Sequence, residues 1–135
     1  MGILIDDYAR GRNTTPLPAG VTTFDWDTKI KALLPEDWAV MDEWTNEKAS
    51  LKNVLSHVSG LPRHDFSYAP NDTIPDAVRK LQHLRPTFEL REKWFYNNMM
   101  YMLGAQLITT YTGSYSRFVD ERIWKLLNTT YTTYS

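Results

Sequence analysis

The 135-residue chain has no cysteine, which excludes disulfides, thiolate nucleophiles and cysteine-ligated metals. An excess of charge of either sign is also missing: 15 Lys and Arg face 16 Asp and Glu, for a formal charge of -1. That balance gives no electrostatic pull toward nucleic acid or an anionic membrane, so neither is an expected partner. No apolar run approaches the roughly 20 residues that a membrane-spanning helix needs. Histidine is scarce, and His57, His64 and His83 fit no zinc spacing. No metal or cofactor is expected.

Met1 to Ile5 is apolar but lacks a basic n-region and runs straight into Asp6 and Asp7, so it does not read as a secretory signal. Asn-x-Thr triplets at Asn13, Asn71 and Asn128 are of the kind glycosylated in secreted proteins, though a Thr-rich chain also forms them by chance. They leave the compartment open. Hydrophobic residues at 42% and charged residues at 23% fit an ordinary globular protein, of a length for one domain rather than two.

Residues 2–8 read as the end of a helix, and residues 11–24, rich in Gly, Pro, Thr and Asn, as an exposed loop. Trp26, Ile30, Leu33 and Leu34 mark a short packed segment that Pro35 interrupts. From Ser50, a plausible N-cap, Leu51, Val54, Leu55 and Val58 recur at helical spacing until Gly60 and Pro62. A loop over 61–72 follows. Thr73, Pro75 and Asp76 resemble a capping box with Pro in the first turn, opening a helix with Ala77, Val78, Leu81 and Leu84 on one face.

Residues 97–112 are apolar almost all round, the mark of a central helix, and Gly113 closes it. Ser114 then caps a last helix that buries Phe118, Val119, Ile123, Trp124 and Leu127. The expectation is a mainly α domain of four or five short helices joined by long loops, with little or no sheet.

Three features invite chemistry, and each has a plainer explanation. The turn Ser56-His57-Val58-Ser59-Gly60-Leu61-Pro62 reads first as a helix stop. Ser59 as a nucleophile with His57 as base is the weaker reading, because no glycines frame it as a nucleophile elbow. Met99, Met100 and Met102 read as core filler. Tyr96 and Asn98, two residues apart at the mouth of the apolar helix, read as a buried aromatic and a cap-like amide, or as a proton carrier beside a donor and acceptor. Proton transfer by a phenol at neutral pH calls for a nearby cation, and Arg91 and Lys93 are the cations close by in sequence.

The order of these motifs resembles the serine β-lactamase-related family, which includes penicillin-binding proteins, class C lactamases and related esterases. The resemblance runs through residues 56–62, then Phe95-Tyr96-Asn97-Asn98, then Tyr101-Met102-Leu103-Gly104, and on through 111–118 and 121–127. Gly2 to Asp7 and Trp26 to Ile30 resemble the stretch after that family's nucleophile helix. The resemblance implies the helical lobe of a β-lactamase/transpeptidase-like fold, with Tyr96 shuttling protons and Asn98 orienting the substrate. Asn97 stands where the family usually has serine, a departure expected to affect only local bonding.

Two of the family's motifs are not in these residues. No serine is followed three places later by lysine, and no Lys-Thr-Gly or His-x-Gly strand motif occurs. Residues 1–135 are therefore expected to be one helical domain, a fragment of a two-lobed enzyme. The parent would cleave an ester, amide or lactam through a seryl-acyl intermediate, and the chain alone would be inactive. The alternative is a non-catalytic helical module used for binding or scaffolding. In either case an apolar face left exposed invites self-association.

Overall fold

The computed structural model describes residues 1–65, 67–69 and 71–133. Phe66 and Pro70, inside the expected loop 61–72, lie outside the described residues. The α-helices, in chain order, are α1 (Gly2–Ala9), α2 (Ile30–Leu33), α3 (Glu43–Lys48), α4 (Leu51–Leu55), α5 (Ile74–Lys80), α6 (Met99–Thr112) and α7 (Tyr115–Val119). A 3₁₀ turn, Leu81–His83, extends α5, and a π-helical turn, Asp120–Trp124, extends α7. The only β pairing among the described residues is an isolated bridge between Lys29 and Ser50. The mainly α architecture is borne out, and none of the described helices is long and apolar enough to cross a membrane.

The five helices legible in the sequence are present because their ends are written locally. The Ser50 side chain accepts from the Asn53 N–H, and the Asn53 side chain accepts the Ser50 N–H at 3.1 Å. Thr73 and Asp76 form the same reciprocal box with Pro75 in the first turn, and Ser114 accepts from the Arg117 N–H at 3.3 Å. Gly113 ends α6 with φ +84°, a left-handed conformation that costs glycine nothing. Two additional helices, α2 and α3, last only a turn or so. Ile30 and Leu33 hold α2 by burial, and Asp42 caps α3 by accepting from Thr45 N at 2.7 Å.

Helix α6 is the centre. Met99, Met100, Leu103 and Leu107 are essentially inaccessible, and Leu4, Ile30, Leu33, Leu51, Val54, Val78 and Leu81 close around them. Burial of this kind contributes roughly 1.5–3 kcal/mol for each large aliphatic side chain. One expectation is corrected: of the five residues expected to be buried by the last helix only Phe118 is, while Val119, Ile123 and Trp124 are half-buried and Leu127 is 67% exposed. The chain leaves α7 through the wider π turn, whose five residues are none of them buried, so the apolar face turns outward before Leu127.

At the far end of α6, Tyr8 stacks on Phe24 at 4.8 Å, and Tyr111 meets Phe24 edge-on at 5.2 Å. Tyr111 donates its hydroxyl to the Leu33 carbonyl at 2.8 Å, and burial pushes its pKa up to about 12. Its own carbonyl accepts from Asn13 Nδ2 at 2.9 Å and Thr15 Oγ1 at 3.1 Å. Those bonds fasten the otherwise exposed loop 11–24 to the core. Asp7, buried at 3% exposure, binds both Arg122 and Arg12 and so ties α1 to the π turn at the chain's other end.

Candidate active site

Helix α4 stops at Leu55, and the chain then reverses sharply. His57 takes φ +61° and Gly60 φ +79°. At Gly60 the requirement is steric as well as conformational, because an added Cβ would lie 2.2 Å from the Phe88 carbonyl oxygen. The Gly60 carbonyl accepts from Thr87 N at 2.9 Å, and Val58 O accepts from Arg91 N at 2.8 Å. This turn therefore docks residues 57–62 against the segment that leads into α6.

Asn97 locks the two together. It is fully buried, and its Nδ2 donates to the Pro62 carbonyl at 2.8 Å. Its Oδ1 accepts from Met99 N at 2.8 Å, and its backbone N–H donates to His57 Nδ1 at 3.3 Å. The asparagine that caps α6 is thus Asn97, and Asn98 is left free of that duty: its side chain makes no cap bond. The side chain at position 97 bonds well beyond its own neighbourhood in sequence, joining residues 35 apart.

With Asn97 facing inward, Tyr96 and Asn98 face out. The Tyr96 hydroxyl donates to Asn98 Oδ1 at 2.5 Å, and Asn98 Nδ2 donates to Asp65 Oδ1 at 3.4 Å. Arg63 donates through Nε to the other Asp65 oxygen and places its guanidinium 5.4 Å from the Tyr96 ring centroid. Tyr96 is 38% exposed, so the residue can be reached from solvent. The cation beside the phenol is therefore Arg63. Of the two that sequence proximity suggested, Lys93 lies instead over the Phe88 ring at 4.7 Å, and Arg91 adopts φ +71° in the approach loop.

Behind Tyr96, the His57 ring is 4.7 Å from the tyrosine ring, 5.1 Å from Tyr101 and 5.7 Å from Trp94. Burial holds its pKa below the ordinary 6.5, so the ring is neutral at pH 7. Ser59 is 1% exposed and its Oγ accepts from Leu61 N at 3.4 Å. With Ser59 shut away and His57 Nδ1 occupied by Asn97, the helix-stop reading of this turn stands and the Ser59 nucleophile reading does not. His64 and His83 join neither group. Among the described residues no His, Asp and Glu side chains gather as a metal-binding cluster.

Arg63 and Asp65 carried no signal in the sequence, because their place beside Tyr96 depends on a contact across more than thirty residues. A polar cavity of about 500 Å³ lies elsewhere, lined by Asp7, Arg12, Thr15, Arg117 and Arg122 among others. It contains an internally paired ion network rather than a proton carrier beside an amide.

A helical lobe with a Tyr-x-Asn turn backed by a Ser-x-x-Ser-Gly stop defines the class. The beta-lactamase family model matches residues 20–135, and the chain belongs to that family of hydrolases. An unguisins hydrolase of Aspergillus campestris is 30% identical over 108 residues, covering 76% of this chain and 20% of that protein. Among solved structures, the D-stereospecific amidohydrolase of a Streptomyces species superposes with TM-score 0.70 at 22% identity, covering 93% of this chain and 38% of that one. The D-amino acid amidase of Ochrobactrum anthropi SV3 gives TM-score 0.65 at 23% identity, covering 84% and 34%. These two likenesses concern the fold alone. The chain spans about a fifth of the length of the curated relatives it matches.

Proposed function

We propose that residues 1–135 form one helical domain, the helical lobe of a two-lobed serine hydrolase that cleaves an ester, amide or lactam through a seryl-acyl intermediate. Tyr96 moves the proton between the attacking serine and the leaving group, and Asn98 orients the carbonyl side of the substrate. The observation that carries this reading is the paired, outward-facing Tyr96 hydroxyl and Asn98 amide, 2.5 Å apart on a turn fixed by a buried asparagine. Both groups are already oriented, so little reorganisation is needed when a substrate arrives.

Acyl transfer also needs a nucleophile and donors at the developing oxyanion. No Ser-x-x-Lys occurs in these residues, so the chain alone is inactive. The test is intact-mass analysis and steady-state assay of the 135-residue chain with an activated aryl ester and a β-lactam. The expected result is no covalent adduct and no saturable turnover. Saturation kinetics abolished by Tyr96→Phe would overturn the claim of inactivity.

The same reading leaves apolar surface uncovered: Leu126, Leu127 and Trp44 are each more than half exposed. A groove of about 220 Å³ between Met1, Ile3, Leu55, Tyr101, Ile108 and Tyr115 adds to it. Self-association through such apolar surface is expected in the isolated chain. Sedimentation that stays monomeric at high concentration would count against it.

A further inference from the structure

His57 is fastened to the Tyr96–Asn98 turn at three points. Its carbonyl accepts the Phe95 N–H at 2.8 Å, its Nδ1 accepts the Asn97 N–H at 3.3 Å, and its ring packs 4.7 Å from the Tyr96 ring. The two hydrogen bonds therefore fall on the residues immediately before and after Tyr96, while the ring backs the phenol between them. Tyr101 lies nearly parallel to the imidazole at 29°, and Trp94 meets it edge-on at 84°.

The residue holds this position at a conformational cost. A non-glycine residue at φ +61° is in a sparsely populated region that persists only where its surroundings over-determine it. The helix stop accounts for the backbone alone: α4 ends at Leu55, and the His57 and Val58 N–H groups close it on the carbonyls of Val54 at 3.3 Å and Asn53 at 3.1 Å, with no use of the imidazole. The side chain at position 57 is used for something else.

We propose that His57 is the positioning residue of the Tyr96–Asn98 pair: its carbonyl and ring clamp residues 95 and 97, its ring backs the phenol, and protonation of the ring releases Asn97. The inference rests on the catalytic reading of Tyr96 but concerns geometry that is measurable without turnover. As an acceptor at Nδ1, the neutral ring must carry its hydrogen on Nε2. Protonation would set an N–H of the ring against the N–H of Asn97 and break that bond. Burial already opposes the charged form.

The titratable groups against the ring are the phenols of Tyr96 and Tyr101. Arg63 lies beyond Tyr96 and is paired with Asp65. Lys52 of α4 pairs with Asp27 at 3.2 Å, and Lys93 lies over Phe88.

The experiment is nitrogen-15 NMR of the histidine ring in the 135-residue chain, with amide exchange at Asn97. The expected result is an unprotonated Nδ1, a protonated Nε2, a midpoint below 6.5, and Tyr96 ring resonances that move with the same midpoint. His57→Asn keeps an acceptor and tolerates positive φ, whereas His57→Phe keeps a ring without an acceptor. Asn97 protection is expected to stay within about threefold of wild type in His57→Asn and to fall by about tenfold in His57→Phe.

A hydrogen on Nδ1, a midpoint at or above 6.5, or equal Asn97 protection in the two variants would overturn the proposal. Should His57→Phe fail to fold, the tautomer and midpoint of the wild-type chain decide. Failure of the catalytic reading would appear separately, as unchanged turnover of the parent enzyme on Tyr96→Phe.

Discussion

Two polar networks in this molecule join distant parts of the chain, and they are built differently. Around Asp7, every strong group is turned on another: Arg122 binds both carboxylate oxygens, and Arg12 binds Asp7 and Asp6 together. The carboxylate is 3% exposed and its work is to hold α1 against the chain's C-terminal turn. Around Tyr96, the buried half of the network, Asn97 with His57, is also bonded inward, but it carries an exposed edge. Tyr96 and the Arg63 side chain are exposed there and Asn98 is half-buried. A network closed on all sides stabilises, whereas one closed behind and open in front can also act on a ligand.

The turn behind Tyr96 should be the most sensitive part of this contrast. Gly60→Ala combines positive φ with a Cβ 2.2 Å from a backbone oxygen, and a loss of about 4 kcal/mol is expected by denaturant unfolding. A loss under about 1 kcal/mol would mean that residues 57–62 are not pinned to 87–91.

Asp7→Ala should rank second and should not disturb the site. Breaking a buried ion pair costs about 3–5 kcal/mol, but Arg122 and Arg12 are 34% and 46% exposed and solvent relieves much of that, leaving about 2 kcal/mol. NMR shifts at Tyr96 and Asn98 should stay in place. If they move, the two networks are coupled and the contrast between them fails.

Acid should separate the networks in sequence. His57 has a folded pKa below 6.5, so its unfolded form binds the proton more tightly. Its contribution is complete above 6.5 and declines as pH falls from there toward the lowered folded value. The Asp7 carboxyl is held below 3.8, chiefly by the Arg122 hydrogen bonds. Its contribution is present above 3.8 and lost as pH falls through the lowered folded value. Amide exchange across a pH series should therefore show residues 95–98 loosening first and the α1 contacts later. The reverse order would contradict both assignments.

The smallest stability effect belongs to the exposed edge itself. Tyr96→Phe removes one hydroxyl whose partner, Asn98, is also reachable by water, and a change within about 0.5 kcal/mol is expected in a thermal or denaturant melt.

What could be read from the sequence follows the same division. Ser50, Thr73 and Ser114 announce helix starts because a cap bonds only three residues away, and Gly113 announces a stop through its own backbone freedom, whereas α4 ends at Leu55, ahead of the stop expected at Gly60. The apolar run of α6 marked the centre of the fold. Helices α2 and α3 were not legible as helices, since a turn or so of helix has too little periodicity and depends on burial of Ile30, Leu33 and Thr45.

At the site, Tyr96 and Asn98 were visible as a motif, but their surroundings were not. Lys93 is close in sequence yet points to Phe88, while Arg63 is distant in sequence and sits over the phenol. The importance of Asn97 was likewise hidden, because both of its carbonyl partners come from another loop.

The central claim, that Tyr96 carries protons rather than merely ending a helix approach, is tested most directly by the turnover of Tyr96→Phe. The measurement belongs in a longer polypeptide that holds these residues together with a Ser-x-x-Lys helix, using an aryl ester and an amino-acid amide. The account predicts kcat lower by about 10²–10⁴-fold, the range for removal of a general acid–base group, with the melting temperature almost unchanged. A kcat within about threefold of wild type, in a variant as stable as the wild type, would contradict it.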